Sequence, residues 1–280
     1  MATSQTMTGA WTMTDMKTGA PALEQDSWQI AGKTFTSRFI LGSGKYSNEL
    51  VEAAVRCAGA QIVTVAVRRA GATGAGGILE AIPAGVTVLP NTSGSTTAEE
   101  AVRTAALARE LGCGDLVKLE VIPDPKYLMP DNAETVRACA SLVERGFTVL
   151  PYVYPDLNTA RELEAAGAAA IMPLGSPIGS NRGLLTREFI RIIIDEINLP
   201  VIVDAGLGRP SEACEAMEMG ATACMVNTGV ATAGDVARMA WAFGRAIEAG
   251  RQARLAGPGR VLDRASASSP ITGVITNQAR

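Results

Sequence analysis

The sequence predicts a single-domain α/β protein, a closed (βα)8 TIM barrel with a disordered N-terminal extension. Three observations carry this. Eight short apolar runs rich in β-branched residues are followed by stretches with helical spacing. The 280 residues suit one such barrel, which typically takes about 250. No G-x-G-x-x-G follows the first strand, where a doubly wound dinucleotide-binding sheet carries it, and Gly42-Ser-Gly44 is too short to count.

Residues 1–26 are rich in Thr, Met, Ala and Gly and lack apolar periodicity, arginine and an h-region. They read as a disordered extension, not as a transit or secretory peptide. Trp28 to Phe35 predicts a short hairpin, turning at Ala31-Gly32, that caps the bottom of the barrel. Barrel strands are predicted at Phe39–Gly42, Ile62–Val67, Thr87–Leu89, Leu116–Ile122, Thr148–Val153, Ala169–Leu174, Pro200–Asp204 and Cys224–Asn227. Helical patterns lie near 48–58, 75–82, 97–111, 132–145, 158–166, 186–197 and 210–219, with a long last one from about 235 to 255. Thr97-Ala-Glu-Glu100 and Asp131-Asn-Ala-Glu134 read as capping boxes. Gly112, Gly146, Gly167 and Gly220 follow last helical turns, where a left-handed residue is wanted. The barrel domain is thus expected over 27–256. The Gly- and Ser-rich segment 257–280 is expected to pack on it or on a neighbouring subunit.

Composition removes several classes of function. The net charge is −3 with no long basic run, which argues against nucleic acid as a partner. No apolar segment approaches the roughly 20 residues that span a bilayer, so a soluble, cytoplasmic protein is expected. The five cysteines form no C-x-x-C pair, and four lie in apolar patterns that suit reduced, buried thiols. Cys113, in a helix-ending turn, is the one expected to be exposed. There is no histidine, which removes Ser-His and Cys-His nucleophiles, His-ligated metals and the usual near-neutral proton shuttle. Acid/base work falls to Asp, Glu, Lys, Tyr or Cys. Of the lysines at 17, 33, 45, 118 and 126, only Lys118 lies within a strand pattern.

In Leu116-Val-Lys-Leu-Glu-Val-Ile122, strand alternation puts Lys118 and Glu120 on one face and Val117, Leu119 and Val121 on the other. A lysine and a glutamate turned into a packed interior form either a structural ion pair or an amine nucleophile with an acid/base partner. Asp204 ends the apolar run Val201-Ile-Val203 and points to the barrel mouth, where such enzymes keep their chemistry. Arg68, Arg69, Asn91, Tyr152 and Asn227 fall near the same ends. Three glycine-rich loops follow strands six to eight: Gly175-Ser-Pro-Ile-Gly179, Ala205-Gly206-Leu-Gly208 and Asn227-Thr228-Gly229. Loops of this kind bind phosphate through bare backbone N–H groups. A lysine between two carboxylates, beside a phosphate-binding rim, suits imine capture of a phosphorylated ketose.

These motifs resemble one family, the bacterial thiazole synthases of thiamin biosynthesis. The resemblance rests on Phe39-Ile-Leu-Gly-Ser-Gly-Lys-Tyr46, Val65-Ala-Val-Arg-Arg69, Leu89-Pro-Asn-Thr92, Thr97-Ala-Glu-Glu-Ala-Val102 and Val117-Lys-Leu-Glu-Val-Ile122. It continues through Met172-Pro-Leu-Gly-Ser-Pro-Ile-Gly-Ser-Asn181, Val203-Asp-Ala-Gly-Leu-Gly208, Val226-Asn-Thr228 and Ala267-Ser-Ser-Pro-Ile-Thr-Gly273. It implies a (βα)8 barrel that joins 1-deoxy-D-xylulose 5-phosphate, dehydroglycine and the thiocarboxylate of a small sulfur carrier protein into a thiazole phosphate. It further implies that Lys118 forms the imine with the C2 ketone and that Glu120 and Asp204 exchange protons. Gly179, Ala205, Gly206, Asn227 and Thr228 would hold the phosphosugar. No metal or organic cofactor is implied, and a homo-oligomer, commonly a tetramer, is. The chain departs from the pattern at Pro123 in place of glycine, Gly229 in place of alanine, and Gly234-Asp235 near the last helix.

Two other readings share these residues. A class I aldolase or pyridoxal phosphate synthase-like barrel would also use Lys118 and the phosphate loops but needs no sulfur carrier. A non-catalytic scaffold for the carrier would bind protein and leave the lysine idle.

Overall fold

A computed structural model describes residues 26–42, 47–67 and 82–266. The extension up to residue 25, Arg68, Arg69, the helix near 75–82 apart from Ile82, and the 267–273 motif lie outside the described residues. The chain opens with β1 (Trp28–Ile30) and β2 (Lys33–Phe35), then β3 (Phe39–Leu41), α1 (Asn48–Arg56), β4 (Ile62–Ala66) and β5 (Thr87–Asn91). Next come α2 (Ala98–Glu110), β6 (Leu116–Leu119), α3 (Asn132–Glu144), β7 (Thr148–Val153) and α4 (Leu157–Ala165). The last elements are β8 (Met172–Pro173), α5 (Arg187–Glu196), β9 (Ile202–Val203), α6 (Pro210–Met219), β10 (Ala223–Val226), α7 (Thr228–Ala231) and α8 (Val236–Ala256).

The antiparallel pair β1–β2 is the expected hairpin. Ala31 and Gly32 take φ of 52° and 69°, the left-handed pair of a two-residue turn that matches strand twist. Trp28, Ile30 and Phe35 pack on Ile40, Ile62, Leu89, Leu116, Leu150 and Ile202, so the hairpin plugs the floor of the barrel. The other eight strands form one parallel sheet in the order β8-β7-β6-β5-β4-β3-β10-β9. Parallel bridges Ile171–Val201 and Leu174–Asp204 join its two ends. The predicted barrel is closed.

Helix starts follow their capping residues. Ser47, Thr97, Asp131, Asp156 and Asp235 accept from a backbone N–H in the first turn of α1, α2, α3, α4 and α8. The two capping boxes are only half formed. Glu100 reaches back to Thr96 N–H at 2.8 Å, one residue before the cap. Glu134 instead takes the N–H of Ala98 at 2.9 Å and so ties α3 to the start of α2. Gly112, Gly146, Gly167 and Gly220 all have positive φ, as their positions required. Burial of the thiols differs from expectation: Cys139 and Cys224 are buried, whereas Cys57 and Cys214 are only partly covered, like Cys113. The cause is position, since Cys57 lies just past α1 and Cys214 on the outer side of α6.

Asp26, assigned to the extension by sequence, is tied to the barrel. Arg38 and Arg251 reach its carboxylate at 2.9 and 2.8 Å. Arg38 is 7% exposed and also donates to Thr222 O. The hydrogen bond from Arg251 and the charges of both arginines hold the Asp26 carboxyl below the ordinary carboxylate range, against burial that pushes it up. A depressed folded pKa gives stability that is present above the unfolded value near 3.8 and lost as pH falls through the folded one. Asp26→Asn is therefore expected to lower unfolding free energy at pH 7 by about 1–3 kcal/mol and to cost less as the pH falls below the unfolded carboxylate value. Urea titrations at several pH values check this; a loss of equal size at every pH would contradict it.

Candidate active site

The strand β6 ends at Leu119, three residues before the predicted end, because side-chain bonds replace the ladder there. Thr92, just past β5, gives its hydroxyl hydrogen to Glu120 O and takes the Glu120 N–H, both at 2.8 Å. One hydroxyl thus serves both backbone groups of Glu120 and keeps the alternation going past the last ladder bond. Lys118 and Glu120 accordingly stay on the inner face, 6% and 5% exposed. This role of Thr92 has no signal in the sequence beyond its place three residues after Leu89.

Asp204 arrives from the far end of β9 and meets the same ammonium. Lys118 Nζ lies 2.9 Å from Glu120 Oε1 and 2.7 Å from Asp204 Oδ2. Asp204 Oδ1 accepts from Ala205 N–H at 2.7 Å, which fixes the carboxylate's orientation. Burial pulls the Lys118 ammonium toward losing its proton, but Asp204 and Glu120 together outweigh it and its pKa is raised. The resting amine is charged.

Tyr152 lies inside the barrel, fully enclosed, with Lys118 Nζ 5.4 Å from its ring centre. Burial first, and then the Asp204 and Glu120 charges, push its phenol pKa up, so it stays neutral and cannot serve as a phenolate base. Burial likewise raises the Cys113 thiol, against a thiolate nucleophile there.

Above the triad opens a cavity of ≈ 520 Å³ that is lined by all eight residues predicted for the site: Lys118, Glu120, Asp204, Gly179, Ala205, Gly206, Asn227 and Thr228. Asn91 shares its wall, as do Thr64 and the loop residues Pro123, Asp124 and Leu128. The glycine loops interlock. Gly175 N–H bonds Asp204 O, Gly183 N–H bonds Gly206 O, and Asn227 Nδ2 bonds Gly42 O. Ala205 and Gly206 are both left-handed, with φ of 55° and 82°. A Cβ on Gly206 would fall 1.8 Å from Ser176 Oγ, so no other residue fits. Among the described residues the N–H groups of Gly179, Gly206 and Thr228 meet no acceptor, whereas that of Ala205 is taken by Asp204. The rim can therefore present three bare donors to an anion.

Of the departures from the family pattern, one reaches this cavity. Pro123 forms part of its wall. At Gly229 a Cβ would come 2.6 Å from Leu207 O, so this backbone accepts only glycine. Asp235 caps α8. A second cavity, ≈ 370 Å³, lies at the opposite end of the barrel beside Arg38 and Arg251, and none of the predicted residues reaches it. Among the described residues no cluster of acidic or thiol side chains could hold a metal ion, and no helix is long and apolar enough to cross a membrane.

Residues 29–270 match the family model described as thiazole biosynthesis protein ThiG. A thiazole synthase of Clostridium beijerinckii is 62% identical over 254 residues, covering 90% of this chain and 99% of its own. A thiazole synthase of Campylobacter jejuni strain RM1221 is 57% identical over 253 residues, again 90% of this chain, and 98% of its own. Among solved structures, the Amycolatopsis orientalis BexX/CysO complex superposes with a TM-score of 0.74 at 33% identity, over 84% of this chain and 98% of the matched one.

Taking away the ammonium leaves two enclosed carboxylates without a counter-charge. Lys118→Met is expected to fold but to lose about 3–5 kcal/mol, the usual cost of breaking a buried pair. The triple change Lys118→Met with Glu120→Gln and Asp204→Asn should regain most of that. Denaturant unfolding of the two variants decides it; a single variant as stable as the parent would show that the triad is solvated.

Proposed function

The chain belongs to the ThiG family of thiazole biosynthesis proteins, and from that membership we propose a sulfur-transferring thiazole synthase that works through a Lys118 imine. In this reading the enzyme joins 1-deoxy-D-xylulose 5-phosphate, dehydroglycine and the thiocarboxylate of a sulfur carrier protein into thiazole phosphate carboxylate. The observation that carries it is a buried lysine shared by two carboxylates at the floor of the cavity bounded by the glycine loops.

Lys118 begins as an ammonium, so a proton must pass to Glu120 or Asp204 before nitrogen attacks the C2 carbonyl. The same carboxyl returns that proton as water leaves, giving a protonated imine. Removal of the C3 proton and its return elsewhere moves the carbonyl along the sugar. The carrier's sulfur then adds to that carbonyl, and the acyl–sulfur bond breaks as the carrier leaves as its carboxylate with the sugar oxygen. The sulfur and the dehydroglycine nitrogen close the ring as water departs and Lys118 is released. The phosphate would rest on the N–H groups of Gly179, Gly206 and Thr228, with Asn227 and Ala205 holding the loops in place.

A carrier tail must enter the mouth. Tyr127 and Tyr154 are 56% and 40% exposed there and Leu128 lines the cavity. Asn132 joins the two loops by bonding both the N–H and C=O of Tyr154 at 3.0 and 2.9 Å. We assign these apolar walls to the carrier, a choice supported by the relative solved as a BexX/CysO complex. The exposed Leu185, just before α5, with Phe189 and Ile192 on it, suits the expected homo-oligomer, a tetramer. Free thiols suit the cytoplasm. The segment 257–280 is assigned to packing on the barrel or a neighbour.

Borohydride added with 1-deoxy-D-xylulose 5-phosphate is expected to fix the sugar on Lys118, seen by mass and peptide mapping, and Lys118→Ala should give no adduct. Glu120→Ala and Asp204→Ala should still trap some sugar while turnover falls by about 10²- to 10⁴-fold. Adduct formation by Lys118→Ala at the parental rate would move the nucleophile elsewhere. Thiazole formed without carrier thiocarboxylate would remove the sulfur source.

A further inference from the structure

We propose that the Thr64 hydroxyl positions the captured sugar by hydrogen-bonding one of its carbinol hydroxyls; this rests on the imine reading above. Thr64 sits on β4, is fully enclosed, and lines the active-site cavity with Ala66, Asn91 and Lys118. Its Oγ1 meets no hydrogen-bond partner among the described residues. The other buried threonines differ. Thr92 bonds Glu120 O, Thr135 bonds Asp131 O, Thr159 bonds Asp156 and Thr186 bonds Leu174 O. The hydroxyl of Tyr152 is also unpartnered, but Tyr152 does not line the cavity.

A buried hydroxyl left without a partner destabilises the fold, and valine would fill a strand position of the same branched shape without that cost. The hydroxyl is therefore explained by something absent from the free protein that enters the cavity. Its position selects which part of the sugar. The carbonyl carbon goes to Lys118 on β6, and the phosphate to loops after β8, β9 and β10. Around the eight-stranded ring β4 stands two strands from β6 and two from β10, midway between the strand that carries Lys118 and one of the phosphate loops, and four from β8. What remains to face Thr64 is the carbon chain with its C3 and C4 hydroxyls. A threonine hydroxyl both donates and accepts and carries no charge, so it orients the chain without disturbing the triad.

The test compares the parent, Thr64→Val and Thr64→Ser by borohydride trapping over a range of 1-deoxy-D-xylulose 5-phosphate concentrations. Half-maximal trapping should need about 3- to 10-fold more sugar in the valine variant, the loss of one hydrogen bond, and stay near the parental value in the serine variant. With hydroxyacetone phosphate, which has the ketone and phosphate but no carbinol hydroxyl, valine variant and parent should trap alike. The valine variant should also unfold at no lower a denaturant concentration than the parent, the reverse of what a structural threonine predicts. Unchanged sugar dependence in the valine variant, an equal loss with hydroxyacetone phosphate, or a destabilised fold overturns the assignment. A parent that forms no adduct removes the imine and this inference together, whereas an adduct-forming parent with an unaffected valine variant removes this inference alone.

Discussion

One buried nitrogen cation held between two carboxylates organises the candidate active site. Lys118 Nζ is within 3 Å of both Glu120 and Asp204, and all three side chains are nearly fully enclosed. Each of these charges costs several kcal/mol to desolvate on its own, so none is tolerable without the others. The surplus of negative charge decides the protonation of the amine, against burial. It also bears on the proposed chemistry. A protonated imine places its positive charge where the ammonium was, so the field that keeps the resting amine charged also holds the covalent intermediate. The difficulty is moved to one step, the transfer of a proton to a carboxylate before attack.

The barrel supplies the geometry. Glu120 follows Lys118 by two residues, just past the end of β6, but Asp204 is 86 residues beyond Lys118 and meets them only because the sheet closes through Ile171–Val201 and Leu174–Asp204. The hairpin that fills the floor with Trp28, Ile30 and Phe35 closes the far end, so the polar layer opens only toward the mouth. Asp204 links the two halves of the site: one oxygen faces the ammonium and the other holds Ala205 at the start of the left-handed Ala205-Gly206 turn. The proposed acid/base group and the proposed anion-binding loop are therefore set by the same side chain.

Much of this was legible in the residues. Period-two alternation put Lys118 and Glu120 together, and the position of Asp204 after an apolar run put it at the mouth. The three glycine loops announced the rim. Tertiary contacts and element length set the rest. The β-forming residues around Lys118 predict a strand to Ile122, but the ladder stops where Thr92's hydroxyl takes over. The four-residue helix Thr228–Ala231 is too short to show a period. The capping boxes were half wrong because Glu100 and Glu134 found other backbone N–H groups close by, one of them on a different helix. That Asp26 belongs with the barrel is visible only once Arg38 and Arg251, 213 residues apart in the chain, are side by side.

The most direct test of this account is a crystal structure of the protein soaked with 1-deoxy-D-xylulose 5-phosphate. Continuous density is expected between Lys118 Nζ and the sugar's C2, with the phosphate against Gly179, Gly206 and Thr228. A sugar lying free in the cavity while Lys118 keeps both carboxylates, or a phosphate seated away from those loops, would contradict it.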